Sequence, residues 1–104
     1  MANPARGEAE LVIDGERRVL RLTLGALAEL EADLGEEGLI PTIRRFEGGE
    51  VSSRDVLRLV VAGLRGGGWP VRAEDLVAAE IGGGFTEAAR VAGLILVRAF
   101  APAG

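Results

Sequence analysis

Between Leu20 and Glu31 the apolar residues change their spacing from every second position to every third or fourth. Leu20 and Leu22 alternate with Arg21 and Thr23, as on a strand with one buried face. Leu24, Leu27, Leu30 and Leu34 then recur on one side of a helix, with Glu29, Glu31 and Asp33 outside. An alternating segment precedes this switch and only helical spacing follows it. Such a chain is confined to the α+β class: an N-terminal two-stranded β-hairpin followed by about five α-helices in a single compact domain. Its 104 residues provide material for one core. Residues 1–7 read as a flexible N-terminal arm and residues 8–101 as the domain.

The hairpin has two candidate registers. A turn centred on Asp14-Gly15 sets Leu11 opposite Arg18 and Ile13 opposite Glu16. A turn centred on Gly15-Glu16 sets Leu11 opposite Leu20, Val12 opposite Val19, Glu10 opposite Arg21 and Asp14 opposite Arg17. The second gives apolar and ionic cross-strand pairs and places glycine where a type II′ turn needs it, so it is the register expected. It puts Ala9, Leu11, Ile13, Leu20 and Leu22 on the face that helices should cover. Val12 and Val19 fall on the outer face.

Thr23 is suited to cap a first helix that runs to Leu34 and ends at Gly35. Pro41 suits the first turn of a short helix to about Glu47, burying Leu39, Ile40, Ile43 and Phe46. Ser52 or Ser53 caps a third, with Asp55 in its first turn. From Val56 to Leu64 only Arg58 is charged, which marks the central helix of the core. A fourth element is expected over Ala73–Ile81 and a last helix from Thr86 to about Phe100.

Absent residue types narrow the chemistry further. The chain has no His, Cys, Tyr or Lys, so the usual ligands of zinc and copper, thiol nucleophiles, imidazole bases and Schiff-base lysines are all missing. No catalytic, cofactor-binding or metal-ligating residue is expected. A net charge of −4 with interspersed signs opposes nucleic-acid binding. No apolar run is long enough to span a membrane and no signal peptide is visible, so a cytoplasmic protein is expected.

Two glycine triplets, Gly66–Gly68 and Gly82–Gly84, lie between helical segments and lack the preceding strand and following lysine of a phosphate loop. They read as helix terminators. The acidic pairs Glu29 with Asp33, Glu36 with Glu37, and Glu74 with Asp75 read as solvated faces and first-turn charges rather than as an acid–base dyad. Trp69, the single Trp, either plugs the edge of the core or anchors a partner. The last helix is apolar on nearly every side from Val91 to Val97, so it is either wrapped by the other helices or meets another protein. Val12, Val19, Trp69, Leu94 and Val97 are therefore the candidate protein-interaction residues.

At Leu22-Thr23-Leu24-Gly25-Ala26-Leu27-Ala28-Glu29-Leu30-Glu31 the sequence resembles the small tail proteins of gene transfer agents and related phages. Gly7-Glu8, Asp14-Gly15, Ala62-Gly63-Leu64-Arg65-Gly66-Gly67-Gly68 and Ala99-Phe100 extend the likeness over most of the chain. The resemblance implies either a tail tube subunit or a tail-assembly chaperone, with no catalytic residues to carry over. A tube wall as that family picture has it is dominated by sheet, and two strands fall short of one. The expected function is therefore a non-enzymatic chaperone that covers apolar segments of the tail tape-measure protein or of tube subunits. An exposed hairpin edge would also permit a homo-oligomer. The alternatives are a structural tail tube or minor tail subunit retained in phage-like particles, and, from another class, a small enzyme or ligand-binding domain built on buried carboxylates.

Overall fold

The computed structural model describes residues 2–100, and among them one antiparallel sheet of two strands, β1 (Glu8–Ile13) and β2 (Glu16–Arg21). Ahead of β1, Pro4–Arg6 form a single 3-10 turn capped by the Asn3 side chain. The pairing is Ala9 with Leu20, Leu11 with Arg18 and Ile13 with Glu16, which places the turn at Asp14-Gly15 and corrects the expected register by two residues. Both turn residues have positive φ, 51° at Asp14 and 81° at Gly15, as a type I′ turn requires. Asp14 is held there from far along the chain. Its N–H donates to the Glu80 carbonyl and its Oδ1 accepts from the Glu80 N–H, each at 2.8 Å. Cross-strand pair counting sees only the hairpin and misses that clasp. A slip of two residues leaves every side chain on its face, so Ala9, Leu11, Ile13, Leu20 and Leu22 are all buried as expected.

Among the described residues five α-helices follow: α1 (Leu24–Leu34), α2 (Ile40–Gly48), α3 (Ser53–Gly66), α4 (Ala73–Leu76) and α5 (Gly84–Ala99). Thr23 caps α1 by accepting from the Ala26 N–H, and Ser52 with Asp55 makes a reciprocal capping box on α3. The buried side of α1 runs through Ala26, Leu30 and Leu34, whereas Leu24 is 84% exposed, against expectation. At Ala26 the helices pack closely: a Cβ added to Gly66 of α3 would lie 3.3 Å from that of Ala26, so this facing position takes a small side chain. In α2 the expected core residue Ile40 is exposed, and Thr42 is buried in its place with its hydroxyl accepting from Arg45.

The core is organised around α3, which touches β2, α1 and α5. Leu59 and Leu64 are fully buried with Leu11, Leu20, Val91 and Ile95, and each such side chain contributes about 1.5–3 kcal/mol on leaving water. Gly63 sits where a Cβ would press on Leu20 and the Ile95 Cδ1. One turn on, a Cβ at Gly66 would run into the Arg21 carbonyl oxygen, and one at Gly67 into that of Val19. Neither residue has positive φ. The first triplet does end α3, with Gly67 as its C-cap and Gly68, at φ 97°, turning the chain away, but Gly66 and Gly67 also let the helix end lie against a strand's backbone.

The fourth element is shorter than expected. The chain leaves α4 after Leu76 because Glu80–Gly82 runs beside β1 instead: Ile81 forms an antiparallel bridge with Ile13, and the Gly82 N–H donates to the Val12 carbonyl at 2.9 Å. Both edges of the hairpin are thereby obstructed, β2 by Gly66-Gly67 and the turn end of β1 by residues 80–82. The open edge expected to recruit strands from another subunit is not present at these positions.

Gly66→Ala is expected to lower stability by about 1–3 kcal/mol, because backbone cannot yield as a side chain can. Gly25→Ala, also helical but with no atom nearer than 3.9 Å, should be neutral or stabilising by up to about 1 kcal/mol. Urea denaturation of the two variants measures both; equal effects would remove the close approach from the account.

Candidate functional site

Asp55 is the one buried acid among the described residues, and Arg45 occupies it through both oxygens: Nε to Oδ2 at 2.7 Å and Nη2 to Oδ1 at 2.8 Å. Arg45 also donates to Glu37 at 3.0 Å. This set ties α2 to the start of α3. The Arg45 hydrogen bonds hold the Asp55 carboxyl below the ordinary carboxylate range against the opposing cost of burial, and Arg45 is raised in turn. Such a bidentate pair is saturated internally and offers nothing to a substrate.

The acidic pairs singled out in sequence lie at the surface. Glu29 pairs with Arg65, Glu37 with Arg45, and the Asp75 carboxylate accepts from the Arg72 N–H at the start of α4. Glu87 is held low by its hydrogen bonds from Arg90 within α5. No group of three or more acidic, His or Cys residues able to hold a metal occurs among the described residues. The pocket of buried carboxylates that an enzyme of this composition would need is not formed there. No described helix is long and apolar enough to cross a membrane.

What the surface does hold is apolar concavity. The larger groove, about 730 Å³, runs between the first turns of α3, the segment 76–81 and the start of α5. Val56, Leu57, Val60, Ile81 and Ala88 line it, and Val77 and Phe85 stand on its lip, 75% and 53% exposed. Arg54 and Glu80 are its charged members, and neither forms an ion pair among the described residues. A second groove, about 410 Å³, lies at the other end of α5, between α2 and Leu96, Val97 and Phe100. Gly93 on its wall contributes no side chain, so the Phe46 ring is left as its side.

The five candidate residues are not brought together. Val12 and Val19 are half-buried on the outer hairpin face, Val12 beside Gly82. Trp69 is half-buried at the edge of the core with the Arg18 guanidinium 4.7 Å from its ring centroid, a contact worth about 0.5–1 kcal/mol. Leu94 lines a polar hollow with Glu10, Arg90 and Arg98, while Val97 is 69% exposed in the second groove. Sequence reasoning missed Val77 and Phe85. Phe85 follows a glycine triplet one turn ahead of Ala88 on the buried side of α5, and that position at a helix end was the available signal.

The described residues thus form a small α+β module, a hairpin packed on a helical layer with two apolar grooves at its surface. The chain belongs to the family described as phage tail tube protein, GTA-gp10, whose family model matches residues 6–102. That is a family of phage tail proteins rather than of enzymes. No curated protein and no solved structure matches the chain.

The Asp55 carboxyl titrates lower in the folded chain than in the unfolded one. Its contribution to stability is therefore complete above the unfolded pKa of about 4 and is lost as pH falls through the folded value. Asp55→Asn should destabilise by about 2 kcal/mol near neutrality, and the gap to the parent should close on acidification. Urea midpoints across the acid range test this; a gap that stayed constant would assign the loss to shape rather than charge.

Proposed function

We propose that this family member is a tail-assembly chaperone: it covers apolar segments of other tail proteins, the tape-measure protein or tube subunits, until they enter the growing tail. The observation that carries this reading is the larger groove, an apolar trough of about 730 Å³ whose lining matches in character the apolar face of an amphipathic helix. Its lip residues Val77 and Phe85 present most or half of their side chains to solvent. A contiguous apolar opening of this kind on a small acidic chain marks an interaction site.

The sheet supports the same direction. A wall built by strand pairing needs long free edges, and among the described residues there are two six-residue strands, β2 obstructed by Gly66-Gly67 and β1 obstructed at its turn end by residues 80–82. Val97, in the second groove, belongs to the proposed contact set. Val12, Val19, Trp69 and Leu94 each keep part of the side chain at the surface and are proposed as outlying contacts. In this reading the protein works in the cytoplasm and leaves the structure it helps to build.

The description of the family as tail tube protein favours a second reading, a subunit retained in the particle. Quantitative mass spectrometry of purified particles separates the two. A chaperone should be scarce relative to tail proteins; recovery in the copy number of a tube subunit would overturn the proposal. Val77→Asp, at a position that is mostly solvent-exposed, should leave the fold intact and weaken co-purification with the client by about tenfold. Unchanged recovery would take the groove out of the account.

A further inference from the structure

The two apolar grooves lie at opposite ends of one helix. The larger touches Gly84, Phe85 and Ala88, and the smaller touches Gly93, Leu96, Val97 and Phe100. The 16 residues of α5 span about 24 Å, so both ends cannot serve one small contact. Each end presents an exposed Phe: Phe85 at 53% and Phe100 at 56%. The charges beside them are complementary. Arg54 and Glu80 flank the larger groove, Glu47 lines the smaller one, and Arg44 stands one turn before Glu47 on α2. All four are exposed, and none has an ion-pair partner among the described residues.

We propose that the larger groove of one chain receives the α2–α5 end of a second copy. Phe85 enters the trough formed by Ile43, Phe46, Leu96 and Val97, and Phe100 of that copy meets Val77. Arg54 pairs with Glu47 of the next copy and Glu80 with Arg44 of the next copy. The contact is heterologous: two different surfaces of the same chain meet, so each copy retains one unused surface of each kind until a ring closes or an open chain ends. It goes beyond the chaperone reading and does not depend on it, since the isolated chain should show it.

The charge pair provides the test. Sedimentation velocity of the purified chain over a concentration series should show self-association. Arg54→Glu and Glu47→Arg place like charges in the contact, and each alone should weaken association by about tenfold. Both positions are exposed and unpaired, so both variants should fold, as circular dichroism would confirm. Mixing the two variants should restore association, because Glu at position 54 then meets Arg at position 47 and the reciprocal contact keeps its native pair. The double variant should associate by itself. Phe85→Asp should abolish association in every background. A chain that stays monomeric, single variants that associate like the parent, or a mixture that fails to recover would each overturn the proposal. A client experiment could fail without touching these results, and the reverse also holds.

Discussion

The structure depends on how closely α3 approaches β2. Gly63, Gly66 and Gly67 remove three side chains from the helix face that meets Leu20, Arg21 and Val19, so helix backbone rests on strand backbone. Close packing of this kind fixes distance and angle together, since a methylene of excess cannot be absorbed by rotamer change. With α3 set in place, Leu20 is enclosed between Gly63 and Ile95, Ala26 is selected on α1, and α5 lies along the remaining side of α3. The same approach obstructs one edge of the hairpin. A packing requirement thus decides the shape of the core and also withholds a surface from strand-mediated assembly.

A second constraint comes from Asp14 and Glu80. Their paired backbone and side-chain hydrogen bonds hold the turn in a type I′ geometry and draw the chain after α4 alongside β1. That detour prevents α4 from continuing to Ile81, and it also makes the larger groove: with residues 77–81 turning or extended, the first turns of α3 and α5 are left partly uncovered. The groove is a consequence of how the sheet is finished, which links the least regular part of the chain to its proposed work.

The element order was legible because local signals were consistent: the change of apolar period at Leu22 and Leu24, caps at Thr23 and Ser52, and a central helix with one charge between Val56 and Leu64. Burial on the hairpin was legible too, since either register keeps Leu11 and Leu20 inward. The register itself was not, because Asp14 is fixed by a residue 66 positions away. Spacing alone puts Leu24 and Ile40 inside, yet each is the first residue of its helix and stands exposed. Gly66 and Gly67 looked like terminators because a close approach and a left-handed turn call for the same residue. The grooves were invisible for a related reason: they are formed by what three separate segments leave open, and no local pattern records an absence.

On the proposed reading, other tail proteins are met through the groove between α3 and α5 and not through the sheet. Hydrogen–deuterium exchange on the chain, alone and with the tape-measure protein, tests it most directly. The account predicts added protection over residues 53–60 and 76–88, with the hairpin unchanged. Protection concentrated in Glu8–Arg21, with the groove segments exchanging as before, would contradict it and return the chain to the role of a wall subunit joined by its strands.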